Sequence, residues 1–202
     1  LQRSSQNLVI VLDTKGEPAF NTLPIGDETH AFYDSGDHAI NALRSKDLPN
    51  YMIVRPSPDE ISEPLQMDDI LAGIYSRKRP CLAYIDEAYQ WHVNGRAGAG
   101  LTGLLTRGRS MGISTLIATQ RPAWVSRFVF SEAQKFFIYR LSDNRDKKTI
   151  SEHIPGFDVK AVTPKYHFVY YDNSSDMDAT MYAPVPAPVK AVNITPAGRR
   201  WI

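Results

Sequence analysis

A single cysteine, Cys81, stands in the whole chain, so no intrachain disulfide can form and the fold rests on its core. Its place in an apolar run makes it a small core residue rather than a nucleophile. No apolar stretch reaches the roughly 18 residues that span a bilayer, and the N-terminus lacks the basic, apolar and small-residue succession of a secretory signal. The expected setting is therefore cytoplasmic and reducing. Net charge is also scarce: 23 Lys and Arg oppose 22 Asp and Glu, for a total of +1. Charge alone thus neither supports nor excludes a nucleic-acid partner. His92 and His153 are isolated, so no zinc-type ligand cluster is expected. None of the twelve glycines is followed by lysine. The GxxxxGK[ST] loop that cradles nucleotide phosphates is therefore absent from these 202 residues.

What is present is ordinary globular composition, 43% hydrophobic and 22% charged, with apolar runs alternating with helical patterns. That alternation predicts an α/β fold with a mostly parallel sheet sandwiched by helices. Leu8 to Leu12 and Cys81 to Ile85 are continuous apolar runs, as strands covered on both faces require. Tyr51 to Val54, Thr115 to Ala118, Phe136 to Tyr139 and Tyr166 to Tyr171 are further strands. A short helix starts near Asp37. Met67, Ile70, Leu71, Ile74 and Tyr75 share one helical face, with Arg77, Lys78 and Arg79 at its end, where cations suit the dipole. Leu101, Leu104 and Leu105 mark another helix, ended near Gly108. Gly98, Gly100 and Gly103 read as a flexible turn. One domain is expected over residues 1–182, and 183–202, with prolines at 184, 186, 188 and 196, as an extended arm.

In open parallel sheets ligands sit beyond the carboxyl ends of the strands. The polar residues that end apolar runs here are Asp13, the pair Asp86 and Glu87, and Gln120. A strand-terminal Asp-Glu pair divides the work of nucleotide hydrolysis: Asp86 can hold a Mg²⁺ shell, largely through water, while Glu87 polarises the attacking water. Gln120 could hydrogen-bond that water or the terminal phosphate. The plain alternative is that both carboxylates cap the next helix.

At these residues the chain resembles a known family. Cys81 to Glu87 is similar to a Walker B strand with its catalytic glutamate. Leu104 to Pro122, with Ala118-Thr119-Gln120, resembles the arginine-rich turn and sensor strand of the FtsK/HerA DNA-pumping ATPases, and Leu8 to Glu17 resembles the strand after their phosphate-loop helix. Phe137 to Leu141 fits the strand after the sensor. The resemblance covers roughly residues 8–171. It implies a RecA-like, additional-strand P-loop NTPase core that uses ATP and Mg²⁺, assembles into a pentameric or hexameric ring and drives double-stranded DNA through its centre. A viral genome-packaging motor is the leading reading, with a portal or capsid vertex protein as a further partner. Chromosome and conjugative pumps, and a subunit that keeps the fold without hydrolysis, are the alternatives.

The family's phosphate loop and its strand precede the strand matching Leu8, and lie between the sensor strand and the next. The expectation is that the chain begins partway through the domain, with residues 1–7 ending the helix after that loop. Ring ATPases of this kind stabilise the transferring phosphoryl group with an arginine from a neighbouring subunit. Arg107 and Arg109, in a glycine-containing turn, are the first candidates, and Arg121, beside the sensor glutamine and the nucleotide, is the second. Each is otherwise a solvated charge. Lys15 and Glu17 could orient Asp13, contact a neighbour or form a plain turn. For DNA phosphates the candidates are Arg96, in the loop from Val93 to Gly98, and Lys147 with Lys148. Trp91, Trp124 and Trp201 are read as packing residues, because a duplex exposes no base face.

Overall fold

The computed structural model describes residues 8–22, 30–45, 48–77, 79–158, 163–175 and 178–186. The helix end expected at residues 1–7, and the arm from 187 onward with Trp201, lie outside the described residues. The chain divides into two compact units between Gln120 and Arg121.

The first unit is built on a five-stranded, wholly parallel sheet. In chain order its elements are β1 (Leu8–Leu12), β2 (His30–Tyr33), α1 (Gly36–Arg44), β3 (Tyr51–Val54), α2 (Pro58–Ile61), α3 (Pro64–Ser76), β4 (Cys81–Ile85), β5 (His92–Val93), β6 (Arg96–Ala97), α4 (Ala99–Arg107) and β7 (Ile113–Ile117). The strand order is β2-β3-β1-β4-β7, with Leu12 level with Val54 and Ile85, and Ile85 level with Ile117. That register aligns the carboxyl ends of the central strands, and so aligns Asp13, Asp86 and the segment leading to Gln120.

One face of the sheet is sealed: Ile10, Leu12, Met52, Val54, Ala83 and Ile85 are at most 1% exposed. The other face carries a smaller cluster of Val11, Tyr51 and Ile53, with Phe20 and Tyr84 packed against it. Cover thins toward β7, with Leu82 of β4 and Leu116 of β7 exposed. β7 is the sheet's edge, and the strand that the resemblance puts beside it is not among the described residues.

The helix predicted around Met67 to Tyr75 is α3, with Met67, Ile70, Leu71 and Ile74 buried. The glycines behave differently from the expected flexible turn. Gly100 and Gly103 lie within α4, three residues apart and so on one face, where a Cβ on Gly100 would meet the Asp68 carbonyl oxygen at 2.4 Å. They are contact points between helices. The loop around Arg96 is likewise a tight hairpin of β5 and β6, with Asn94 and Gly95 both at positive φ. Asn-Gly is the preferred pair for that turn, because both central residues must be left-handed.

The second unit comprises α5 (Arg127–Glu132), β8 (Lys135–Ile138), α6 (Asn144–His153), β9 (Phe168–Asp172) and β10 (Thr180–Tyr182). The strand expected at Phe136 to Tyr139 to continue the parallel sheet is β8, and it pairs antiparallel with β9 in a separate three-stranded sheet. Cross-strand aromatic pairs fix this pairing: Phe137 lies opposite Tyr170, ring centroids 5.1 Å apart, and Phe136 opposite Tyr171 at 6.1 Å.

Candidate functional site

The carboxyl edge of β1, β4 and β7 gathers three buried carboxylates. Asp13 is 1% exposed, Asp86 9% and Glu87 2%. The Asp13 carboxylate is fully engaged: Oδ2 accepts from Arg55 Nε at 2.8 Å, and Oδ1 from the backbone N–H groups of Lys15 and Glu17 at 3.2 and 3.1 Å. Arg55 also donates to the Glu17 carbonyl oxygen at 3.2 Å. Asp13 and Arg55 therefore set the turn that carries Lys15.

That turn delivers Lys15 to the next strand. Its Nζ donates to Glu87 Oε1, joining residues 72 positions apart. The link follows from β1 and β4 being neighbours, with Leu12 level with Ile85. Burial disfavours the charged form of Lys15, but the hydrogen bond to Glu87 and the charges of Asp86 and Glu87 outweigh it and raise its pKa. Asp86 has its pKa raised, first by burial, then by the charges of Glu87 and Asp13, with Lys15 opposing.

Glu87 leaves β4 in the left-handed region, φ 48° and ψ 66°. For a side chain of this size that conformation costs on the order of 1–3 kcal/mol and persists only where the surroundings hold it. They do: Ala88 N–H donates to the Ala118 carbonyl at 3.0 Å, Gln120 N–H to Glu87 Oε2 at 3.3 Å, and Thr119 Oγ1 approaches the same oxygen at 3.5 Å. Trp91, fully buried, donates Nε1–H to the Asp86 carbonyl at 2.9 Å and pins the chain just after the pair. The helix-cap alternative fits poorly, since no side-chain cap bond begins the short 3-10 turn after Glu87.

Arg107 and Arg109 are exposed and precede β7, at its amino end, with Arg107 over the Tyr75 ring at 5.3 Å. A five-residue strand separates them from the carboxyl edge, roughly 17 Å, so within one chain neither reaches Glu87. Arg121 belongs to the second unit, where it meets Asp143 and the buried Asp146 at 3.4 Å each and stacks over Trp124 at 4.7 Å. Arg96 is exposed on the hairpin, Lys148 pairs with Glu152 at 3.9 Å, and Lys147 is half-buried on α6. Sequence reasoning left Lys15 open and missed Arg55 and Thr119. Lys15 and Arg55 were detectable only as polar residues just past β1 and β3.

The described residues thus place an Asp-Glu pair and a Thr-Gln segment at the aligned carboxyl edge of a parallel sheet, and this α/β fold is the one found in viral DNA-packaging ATPases. No family model matches the chain. In sequence it is 28% identical over 186 residues to the DNA packaging ATPase P9 of Enterobacteria phage PRD1, covering 88% of this chain and 74% of that protein. In fold it matches the DNA-packaging ATPase B204 of Sulfolobus turreted icosahedral virus, with a TM-score of 0.64, 18% identity and coverage of 89% of this chain and 83% of that one. The genome packaging NTPase B204 of Sulfolobus turreted icosahedral virus 2, solved in complex with AMPPCP, gives a TM-score of 0.62 at 18% identity over the same shares. The chain thus resembles viral packaging ATPases in both sequence and fold.

Proposed function

We propose that this chain is the ATPase subunit of a viral genome-packaging motor, hydrolysing ATP to move double-stranded DNA. The observation that carries the reading is the Asp86–Glu87 pair, held in strained geometry at the carboxyl edge beside Thr119 and Gln120. The PRD1 relative is named as a DNA packaging ATPase, and the chain matches in fold the packaging NTPase B204, solved in complex with AMPPCP.

The residues fit a magnesium-nucleotide. Asp86 is a hard oxygen donor, buried, with its pKa raised by desolvation and by neighbouring carboxylates, so a cation would relieve it. Mg²⁺ is commonly bound through one or two carboxylates, phosphate oxygens and water, without an all-protein cage. Asp86 would hold it, and the ion would neutralise charge on the transferring phosphoryl group. In this reading Glu87 orients and deprotonates the attacking water, and Gln120, whose N–H meets Glu87 Oε2, reports the terminal phosphate. Lys15 on Oε1 and Gln120 N–H on Oε2 fix the Glu87 carboxylate, and Oε1 keeps a further lone pair that can accept from the water. Arg107 and Arg109, remote from the edge of their own chain, act in this reading on a neighbour's nucleotide across a ring interface. Arg121 serves the second unit. Arg96, Lys147 and Lys148 face DNA phosphates, and a portal or capsid vertex protein anchors the ring.

The test is ATP turnover by the complete protein with and without duplex DNA, beside Glu87→Gln. DNA-stimulated hydrolysis should fall about 10²–10⁴-fold in the variant. A complete wild-type protein that hydrolyses nothing with DNA present would refute the reading in favour of a subunit that has the fold alone.

A further inference from the structure

The end of the first unit away from Asp86 and Glu87 holds arginines that meet no carboxylate among the described residues. α1 and α3 pack side by side, so closely that a Cβ on Gly73 would touch Leu43 at 3.4 Å. Along them runs a groove of about 720 Å³ lined by Arg44, Arg77 and Arg79 and, farther along the helices, by Asp37 and Asp69. Asp37 lies seven residues before Arg44 on α1, and Asp69 eight before Arg77, so acids and bases sit about 10–12 Å apart along the helices. None of the ion pairs among the described residues uses any of the three arginines.

Arg77 is the sharpest case. Its Nε and Nη1 are enclosed and have no hydrogen-bond acceptor. Burial, and then the like charge of Arg79, lower its pKa. An enclosed donor without a partner costs about 1–3 kcal/mol, more when charged, and native structures rarely retain one without an unseen ion or water. Helix C-termini favour cations, which accounts for basic residues at this end, but not for a half-buried guanidinium with two enclosed nitrogens and no acceptor for either. Guanidinium forks match the oxygens of a phosphate, and three of them suit its charge better than a single carboxylate's.

We propose that the basic end of the groove between α1 and α3 is a phosphate-binding site, distinct from the Asp86–Glu87 edge and taking either the phosphodiester backbone of duplex DNA or a free phosphate group. Arg79 precedes β4 and Asp86 follows it, so the two sites are separated by the strand's length, roughly 17 Å. The DNA source rests on the packaging reading; the free phosphate does not.

Arg44 and Arg79 are exposed, so Arg44→Gln/Arg79→Gln tests the site without disturbing half-buried Arg77. Two measurements are made on the complete protein: anisotropy of a labelled duplex between about 50 and 200 mM salt, and melting temperature in sodium phosphate against chloride at matched ionic strength. If the site takes DNA, the log–log salt slope becomes shallower by about 1.8, two contacts at about 0.9 each. If it takes a free phosphate group, phosphate raises the wild-type melting temperature, the variant loses that rise, and the DNA slope is unchanged. A variant matching wild type in both measurements overturns the proposal. Neither measurement reads hydrolysis, so a protein that binds here but turns over no ATP would sink the ATPase reading and leave this one standing.

Discussion

Asp68 is the residue whose loss should most clearly expose how the first unit is locked. It lies on α3, is 7% exposed, and caps a different helix: Oδ2 accepts from Gly100 N–H at 2.9 Å and Oδ1 from Leu101 N–H at 3.1 Å. The N-cap residue of α4 is Gly98, which has no side chain to do so. Bonds to an ionised acceptor contribute about 1.5–3 kcal/mol each, and truncation leaves two buried N–H groups at a helix start. Asp68→Ala should therefore cost about 3–5 kcal/mol, and Asp68→Asn, which keeps one acceptor oxygen, about 1–2. For a chain of this size each kcal/mol moves the melting temperature by about 2–4 °C, so thermal denaturation followed by circular dichroism should show a fall of about 6–20 °C for the alanine variant. Gly100→Ala gives an independent check of sign. On an ordinary helix it would stabilise by about 1 kcal/mol, but here the new Cβ would lie 2.4 Å from the Asp68 carbonyl oxygen and 2.5 Å from Ala72 N, so it should destabilise by 1 kcal/mol or more. An alanine at 68 that melts within about 3 °C of wild type, or a neutral Gly100→Ala, would refute the interhelical lock.

Other consequences can be measured with equal directness. Lys15→Met and Glu87→Gln should show a coupling of about 1 kcal/mol in a double-mutant cycle by urea denaturation, reduced from the buried-pair range because Lys15 is 38% exposed; additive effects would mean the pair contributes nothing. Burial pushes the Cys81 thiol up to about 11, from 9.0, so at about pH 8 its reaction with a disulfide reagent should be about 100-fold slower than that of the urea-unfolded chain. The same shift makes a stability contribution that is complete below pH 9 and lost as pH rises toward about 11, because the unfolded thiol ionises first. Arg121→Ala removes the ion-pair partner of Asp146, whose side chain is 3% exposed, and should cost the second unit about 1–3 kcal/mol, read as faster proteolysis after residue 121.

The carboxyl edge was legible because a strand that ends in a carboxylate announces both its direction and its solvent end, and β4 occupies the residues Cys81–Ile85 that its apolar run predicts. Lys15 could not be assigned in the same way. Its turn is visible in one dimension, but that it lands on Glu87 depends on β1 lying next to β4, a crossover order that no local pattern specifies. Gly98, Gly100 and Gly103 were read against their role because glycine-rich segments usually mean turns. The overlooked signal was spacing: Gly100 and Gly103 fall three apart, beside Leu101 and Leu104, which places a smooth strip on one side of a helix. The hairpin after Trp91 was readable from Asn94-Gly95 alone. In the second unit, α5 spans Arg127–Glu132 behind a Ser126 side chain that accepts from Phe128 N–H; a helix of six residues has too few turns to show a period.

The distribution of arginines follows from the same parallel geometry. In a β-α-β unit each helix returns the chain to the amino edge of the sheet, so α3 ends ahead of β4 and α4 ahead of β7. Arg77 and Arg107 are placed there by chain direction, and the negative ends of the helix dipoles favour them. The carboxyl edge, facing the other way, collects Asp13, Asp86 and Glu87. One polarity therefore puts Asp13, Asp86 and Glu87 at the carboxyl edge and Arg77 and Arg107 about a strand's length away. Under the proposed function Arg107 and Arg109 serve hydrolysis only on another chain, so their substitution should reduce turnover by the assembled protein while leaving nucleotide binding by an isolated subunit unchanged. Loss of nucleotide binding in the isolated subunit would show instead that they act within their own fold.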